Sequence, residues 1–308
     1  MREDASGFPE LARGTVVTVG TFDGVHCGHV DILRRVADRA RSMRLTGLVI
    51  TFQPHPVAVL HPEAAPGLLT PDVEQREALV NAGVDRAVVL PFTQSLAGLG
   101  ATTFVHLLID RYRMRHLVMG YNHRLGRGRE GDASFLSDLG HRLGFEVDVV
   151  PPTVGPDDEA ISSSRIRQSL NAGDVESAAR SLGRIYAIRG VVQRGEQRGR
   201  DLGFPTLNIG ISDSRKLLPA DGVYAVRAVT PRGTFGGMMN LGGRPTFGDF
   251  NRVIEVHLFD VAGDWYGAAV SVEVVRRLRD TTRFASPEAL VAQLARDAHD
   301  ARVALTQA

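Results

Sequence analysis

The sequence predicts two folds in series: an α/β domain built on a parallel sheet, then an all-β domain closed by a terminal helix. Three observations carry this. Short apolar runs alternate with helical patterns through the first half, as in a parallel sheet with helices on both faces. After Gly183 the texture changes to six β-rich runs set apart by Gly, Pro and Asp, which argues an antiparallel barrel or sandwich. The 308 residues suffice for two cores at roughly 150 residues per domain. The expected division is 1–183 and 184–308.

The elements follow in order. TVVTVG (15–20) is a buried strand, with a helix from about Gly28 to Met43 and a second strand at LTGLVITF (45–52). Thr70 and Pro71 read as an N-cap with proline at the first helical position, in a helix that Gly83 ends. DRAVVLPF (85–92), a helix over 101–114, HLVMG (116–120), a helix over 132–143 and FEVDVVP (145–151) continue the alternation. GPDDEA (155–160) is a loop, and two short helical patterns reach Gly183. The β runs are IYAIRGVV, FPTLNIG, GVYAVRAVT, TFGGMMNLG, RVIEVHLFD and GAAVSVEVV. In the tail Ser286 caps a helix, with Pro287 directly behind it.

Charge and composition narrow the function. With 36 basic and 35 acidic side chains the net charge is +1, so no global field favours nucleic acid or a membrane surface. The single cysteine, Cys27, fits a reducing compartment, and the N-terminus lacks the apolar core of a signal peptide, so a cytoplasmic location is expected. Lys216 is the only lysine and follows Arg215, which excludes a GxxxxGK[ST] phosphate loop.

GTFDGVHCGH (20–29) lies where the first strand feeds a Gly-rich turn and a helix. Such a junction points backbone N–H groups and the positive helix end at one place. Gly24 and Gly28 allow close approach of a phosphate, and His26 and His29 add directional N–H donors. A metal pair or two core histidines are the alternatives, and only Asp23 and Cys27 stand near enough in sequence to favour metal. ISSSRIRQSL (161–170) offers a second anion site: Ser162, Ser163 and Ser164 at a helix start with Arg165 and Arg167 in its first turn. The pair of sites suggests a nucleoside triphosphate held at the sheet edge.

These two segments together resemble the nucleotidyltransferase superfamily. TFQPHP (51–56), LLTP (68–71), AGVDRAVVLPF (82–92) and GYNHRLGRGREGD (120–132) narrow the resemblance to bacterial bifunctional riboflavin kinase/FMN adenylyltransferases. It implies a Rossmann-like first domain that joins the AMP of ATP to FMN and releases pyrophosphate. It implies that His26 and His29 stabilise charge on the triphosphate. Gly20, Phe22, Asp23, Gly28, Ser162, Ser163, Ser164 and Arg167 would line the ATP phosphates, Asn122 would sit beside the reacting groups, and Phe52, Pro54 and Pro56 would form the flavin side. Where the family has GxDFxFG this chain has GYNHRLG, so His123 and Leu125 replace two aromatics, with Leu125 at a flavin-side position. Gln53 stands where Glu is common, and Ser164 where Thr is.

In RGEQRGRDLGFPTLN (194–208) Gly195, Gly199 and Gly203 make a turn that Pro205 stiffens. Thr206 and Asn208 are two apart, so on a strand they face one side as plausible oxygen ligands for Mg²⁺, or serve only as a hairpin turn. In RVIEVHLFD (252–260) Val253, Glu255, His257 and Phe259 share a face. Apolar neighbours would make Glu255 a better proton acceptor, while a solvated face is the plain alternative. With GVYAV, NLGGRPTFG, EVHLFD, WYG and RFxSPEAL in this order, the second half is similar to riboflavin kinases, so the resemblance spans about Thr15 to the C-terminus. It implies a six-stranded antiparallel Greek-key barrel that transfers the ATP γ-phosphate to riboflavin. In it Gly195, Gly199, Gly203 and Pro205 would lie at ATP, Thr206 and Asn208 would ligate Mg²⁺, Glu255 would be the general base and Arg279 would contact flavin. ATP, riboflavin and FMN are the small-molecule partners implied. A kinase with a weakened adenylyltransferase domain and a non-catalytic flavin or nucleotide sensor are the rival readings. Class I aminoacyl-tRNA synthetases share His-x-Gly-His but need a lysine-rich loop that one lysine cannot supply.

Overall fold

The computed structural model describes residues 13–155, 157–195, 202–243 and 252–307. Gly199 and most of the GRPTFG segment (243–248) lie outside the described residues. The chain forms two compact units, Met1–Ser163 and Ser164–Ala308.

The first unit runs β1 (Thr15–Val19), α1 (Cys27–Met43), β2 (Thr46–Gln53), α2 (Pro56–Leu60), α3 (Asp72–Asn81), β3 (Arg86–Pro91), α4 (Gln94–Ala97), α5 (Ala101–Tyr112), β4 (Met114–Gly120), α6 (Ala133–Leu143) and β5 (Glu146–Val150). All sheet pairs are parallel, in the order β3-β2-β1-β4-β5. Both faces of the central strands are covered, so β1 is buried along its whole length and needs no polar alternation. One core joins Val17, Leu48, Ile50, Leu108, Leu117 and Leu136 across sheet and helices. The chain order reverses between β1 and β4. In an open sheet of this kind the crevice at the carboxyl ends of those two strands is where ligands bind.

On β5, Asp148 takes Arg39 Nε at 2.7 Å and Arg35 Nε at 2.9 Å, tying α1 to the sheet edge. The Arg39 hydrogen bond, with smaller help from His116 and Arg35 against the opposing effect of burial, holds the Asp148 carboxyl down to about 2. A depressed carboxyl stabilises the fold fully above its unfolded value near 3.9 and loses that contribution as pH falls through the folded value. Asp148→Asn is therefore expected to flatten the drop in stability between about pH 4 and pH 2, read by denaturant unfolding across that range.

Thr70 does not cap α3. The N-cap is Pro71, and the Thr70 hydroxyl instead accepts Gly24 N–H at 2.8 Å. Its geometry is claimed by the turn after β1, a long-range partner invisible to local pattern.

The second unit holds α7 (Ser163–Ala172, its first residue belonging to the first unit), α8 (Val175–Leu182), strands β6 (Tyr186–Gln193), β7 (Leu207–Ile211), β8 (Gly222–Thr230), β9 (Gly233–Gly243), β10 (Arg252–Leu258), β11 (Ala269–Arg279) and α9 (Pro287–Thr306). The strands close as β10-β7-β6-β11-β8-β9, every pair antiparallel. β11 returns to lie beside β8, giving the order β11-β8-β9-β10 of a Greek key. The two helices read with the α/β half are bonded to the barrel: Ala220 N–H donates to the Leu170 carbonyl at 2.8 Å, and Arg276 Nε to Glu176 at 3.1 Å. Their helical texture continued the pattern of the first half, but their packing partners lie later in the chain.

Ser286 caps α9 through Ala289 N–H, with Pro287 at the first turn, as its sequence implies. The helix lays Ala301 and Ala304 on Ala225, Met238 and Phe259. It also fixes Arg279, whose Nε and Nη2 donate to the carboxylate of Asp297 at 2.8 and 2.7 Å while Nη1 donates to the Asp280 carbonyl. Asp297 is buried and also accepts from Gln293, so this guanidinium pins helix to barrel. These bonds take three of the five guanidinium N–H donors of Arg279, and its contact with flavin rests on the family resemblance alone.

Candidate active sites

The first site grows from the end of β1. Gly20 N–H closes on the Ile50 carbonyl, and the turn then passes through positive φ at Phe22 (47°), Gly24 (91°) and Val25 (39°). Two non-glycine residues in that region are uncommon and must be held there by their surroundings. Asp23 does the holding: its buried carboxylate accepts Leu69 N–H at 3.0 Å and Thr70 N–H at 2.9 Å. Ser163 Oγ donates to the Asp23 carbonyl at 2.8 Å, and Gln75 to the Thr21 carbonyl at 2.6 Å. Asp23 thus braces the loop against the LLTP segment.

His26 is the N-cap of α1, its Nδ1 accepting the His29 N–H at 3.3 Å. Because that nitrogen accepts, the proton of the neutral ring sits on Nε2. The His26 and His29 rings stack at 3.6 Å between centroids, and Phe22 meets His29 edge-on at 5.1 Å. A Cβ on Gly28 would lie 3.3 Å from the His26 ring, so glycine leaves that ring room. Burial, with His26 and then His123 beside it, holds His29 well below the usual imidazole range. Burial and Arg129 take His123 down to about 4. Both rings are therefore neutral near pH 7, donors without charge.

Asn122 is exposed just past β4, across the switch point from His26 and His29. Phe52 packs on the core edge and meets Phe92 at 5.4 Å, while Pro54 and Pro56 lead into α2. Leu125 differs from its expected place: it is buried in the core, bonded in both directions to Gly131. Of the serines, Ser162 and Ser163 belong to the first unit. Ser164 and Arg167 lie on α7 in the second, where the family resemblance alone assigns them to phosphate.

The second site is a row across three strands. Glu255 pairs with Asn208 on β7 and with Asn240 on β9, so the three side chains emerge on one face. Ile254, Val256 and Leu258 take the opposite, buried face. The neighbours of Glu255 on its own face are the half-buried Val253 and His257, a more polar setting than the sequence suggested. His257 Nδ1 is 2.8 Å from the Pro205 carbonyl and its ring meets Phe204 at 5.3 Å, fixing the approach of the FPT segment and so of Thr206. Gly203 has φ +81°, a conformation that suits glycine at the turn before Phe204. A Cβ on Gly195 would overlap the Asn208 amide, which makes this glycine the seat of Asn208. Asn240 was missed in the sequence, because register between distant strands is not written in local periodicity.

Displacing that amide should be felt in catalysis. Gly195→Ala is expected to lower the turnover of a reaction served by Asn208 by roughly 10–100-fold, the usual cost of an ångström-scale misplacement. Steady-state kinetics of the reaction at this row check it, with the reaction of the first site on the same sample as the internal control.

The donor set fits Mg²⁺. Thr206 and Asn208 supply neutral hard oxygens beside one carboxylate, suited to an ion that keeps waters and takes its other ligands from phosphates. Among the described residues no group of three His, Cys, Asp or Glu gathers in metal-binding geometry.

A Rossmann-like sheet with two histidines at its switch point, followed by a closed barrel carrying a Glu–Asn row, defines a two-module nucleotide-dependent transferase. The family models agree in order: "FAD synthetase" matches residues 8–165 and "Riboflavin kinase" residues 182–305. The chain belongs to the bifunctional riboflavin kinase/FMN adenylyltransferase family. It is 39% identical over 292 residues to the relative of that name from Pseudomonas fluorescens, covering 94% of this chain and 93% of the relative. It is 37% identical to that of Escherichia coli K12, covering 94% and 92%, and 34% identical to that of Bacillus subtilis, covering 93% and 91%. A solved structure from Streptococcus pneumoniae described as a macrolide-efflux protein superposes with a TM-score of 0.88 at 33% identity, covering 98% of this chain and 97% of that one. Among the described residues no helix is long and apolar enough to cross a membrane.

Proposed function

We propose that the two activities of this bifunctional enzyme divide between two sites with different proton requirements. The enzyme phosphorylates riboflavin to FMN and adenylylates FMN to FAD. We assign the first reaction to the barrel, 184–308, and the second to the α/β domain, 1–183. The single observation that carries this is where the carboxylates lie. Asp23 is buried and bonded to the Leu69 and Thr70 amides, whereas Glu255 stands half-buried between two asparagines.

The nucleophiles differ in the same way. The ribityl 5′-hydroxyl must lose a proton as its oxygen bonds to the γ-phosphorus and the bond to the β-phosphate oxygen breaks. Glu255 is the group to accept it. The FMN phosphate is already an anion, so its oxygen attacks the α-phosphorus and displaces pyrophosphate with no base needed. What that step needs is charge stabilisation, and His26 and His29 supply neutral N–H donors in a buried setting where they act strongly. Gly20, Gly28, Ser162 and Ser163 shape the phosphate cradle, Asp23 and Phe22 hold its loop, and Phe52 with Pro54 and Pro56 offers the flavin a wall. Thr206 and Asn208 would hold Mg²⁺, which when bound neutralises charge on the triphosphate. Use of ATP and a single cysteine, Cys27, support a cytoplasmic location.

The test is to vary flavin and site together: purified Glu255 and His29 variants incubated with riboflavin or FMN, ATP and Mg²⁺, with the flavin products separated. Each variant should lose one conversion and keep the other. Loss of both from one substitution would overturn the division.

A further inference from the structure

The histidines of His-x-Gly-His are held unequally. The tautomer of His26 is settled by the backbone, since its Nδ1 accepts the His29 N–H. Nothing comparable settles His29, whose Nδ1 is buried without a hydrogen-bond partner. A second imidazole nitrogen in the same state, Nε2 of His123, belongs to the turn that leaves β4. An unmade hydrogen bond at a buried nitrogen is costly, so two such nitrogens in one neighbourhood call for a common account.

They do share a neighbourhood. The His123 N–H donates to the Gly120 carbonyl at 3.0 Å, which folds the turn back over the end of β4. A Cβ on Gly120 would lie 3.2 Å from Ile32 of α1 and 3.9 Å from Asn122 of the turn. Ile32 is one helical turn beyond His29 on the same side of α1. The turn bearing His123 and the helical face bearing His29 therefore meet at one glycine, at the switch point of the sheet.

We propose that His123 is a positioning residue for His29: its Nε2–H donates to Nδ1 of His29 and fixes the second histidine as the Nε2–H tautomer. Both histidines then present Nε2–H toward the phosphates, one set by the helix cap and the other by His123. The two nitrogens are not bonded in the structure, and a turn of the rings within the pocket forms the bond. The bond requires the accepting Nδ1 of His29 to be unprotonated, and burial keeps that ring neutral, with His26 and His123 as the titratable neighbours of His29 and Arg129 as that of His123. His123 occupies a position where the family pattern has an aromatic, so this device belongs to this chain. It rests on the reading of His26 and His29 as the phosphate-facing pair.

The experiment uses the full-length protein labelled with ¹⁵N-histidine, with His29 identified by its loss in His29→Ala. In the unsubstituted protein the His29 signals should report a proton on Nε2 and none on Nδ1. In His123→Phe a population protonated on Nδ1 should appear, and kcat for FMN adenylylation should fall about 2–10-fold at unchanged KM for FMN, the worth of one hydrogen bond. His123→Gln, which retains an N–H donor, should restore the Nε2–H tautomer. A proton on Nδ1 of His29 in the unsubstituted protein overturns the proposal, as does a tautomer unchanged in His123→Phe. The tautomer is read without turnover, so it fails separately from the phosphate-facing role. That role is tested by the adenylylation rate of His29→Ala.

Discussion

Glu255→Gln is expected to slow FMN formation from riboflavin by about 10²–10⁴-fold while leaving FMN-to-FAD conversion near its original rate. Glutamine keeps the size of the side chain and its place between Asn208 and Asn240, so the row survives and only proton acceptance is lost. The loss should fall on kcat, since the carboxylate acts as the hydroxyl proton leaves. Phosphoryl transfer depends chiefly on positioning and charge neutralisation, which is why a residual rate is expected rather than none. Rates measured with riboflavin and with FMN on one preparation check the result. An equal fall in both would place Glu255 in a structural role common to the chain.

His29→Ala should have the converse effect. FAD formation from FMN is expected to drop by about 10²–10³-fold, the usual cost of removing one donor aimed at developing charge, with FMN formation from riboflavin unchanged. The His29 side chain stacks on His26 and meets Phe22, and its backbone N–H supplies the cap bond to His26. Alanine keeps that backbone bond and a good helix former, so α1 should start where it does now. Circular dichroism and an unfolding curve alongside the kinetics separate a lost donor from a lost fold. A rate within twofold of the unsubstituted enzyme would remove His29 from the chemistry.

What the sequence disclosed depended on how local each signal was. Every strand of both units was legible, because buried runs such as TVVTV and alternating ones such as RVIEVHL are bounded by Gly, Pro and Asp. So was the cap of α9, where Ser286 and Pro287 act within one turn. Long-range partners were not. Thr70 reads locally as a cap, yet it serves a turn 46 positions away. Arg279 is assigned to flavin by the family resemblance, and no local pattern shows that its guanidinium also holds Asp297 on α9. Leu125 is a flavin-side residue only by the family pattern, where it replaces an aromatic, and its bonds to Gly131 turn it into the core. The Asn208–Glu255–Asn240 row is a matter of strand register, which no periodicity states.

The most direct test of the account is a product separation. Purified protein is incubated with riboflavin, ATP and Mg²⁺, and then with FMN in place of riboflavin, and the flavins are resolved over time. The account predicts FMN first and FAD after it from riboflavin, and FAD alone from FMN. FMN that accumulates from riboflavin, with no FAD from either flavin, would contradict it and leave a kinase whose GYNHRLG-bearing domain no longer transfers adenylate.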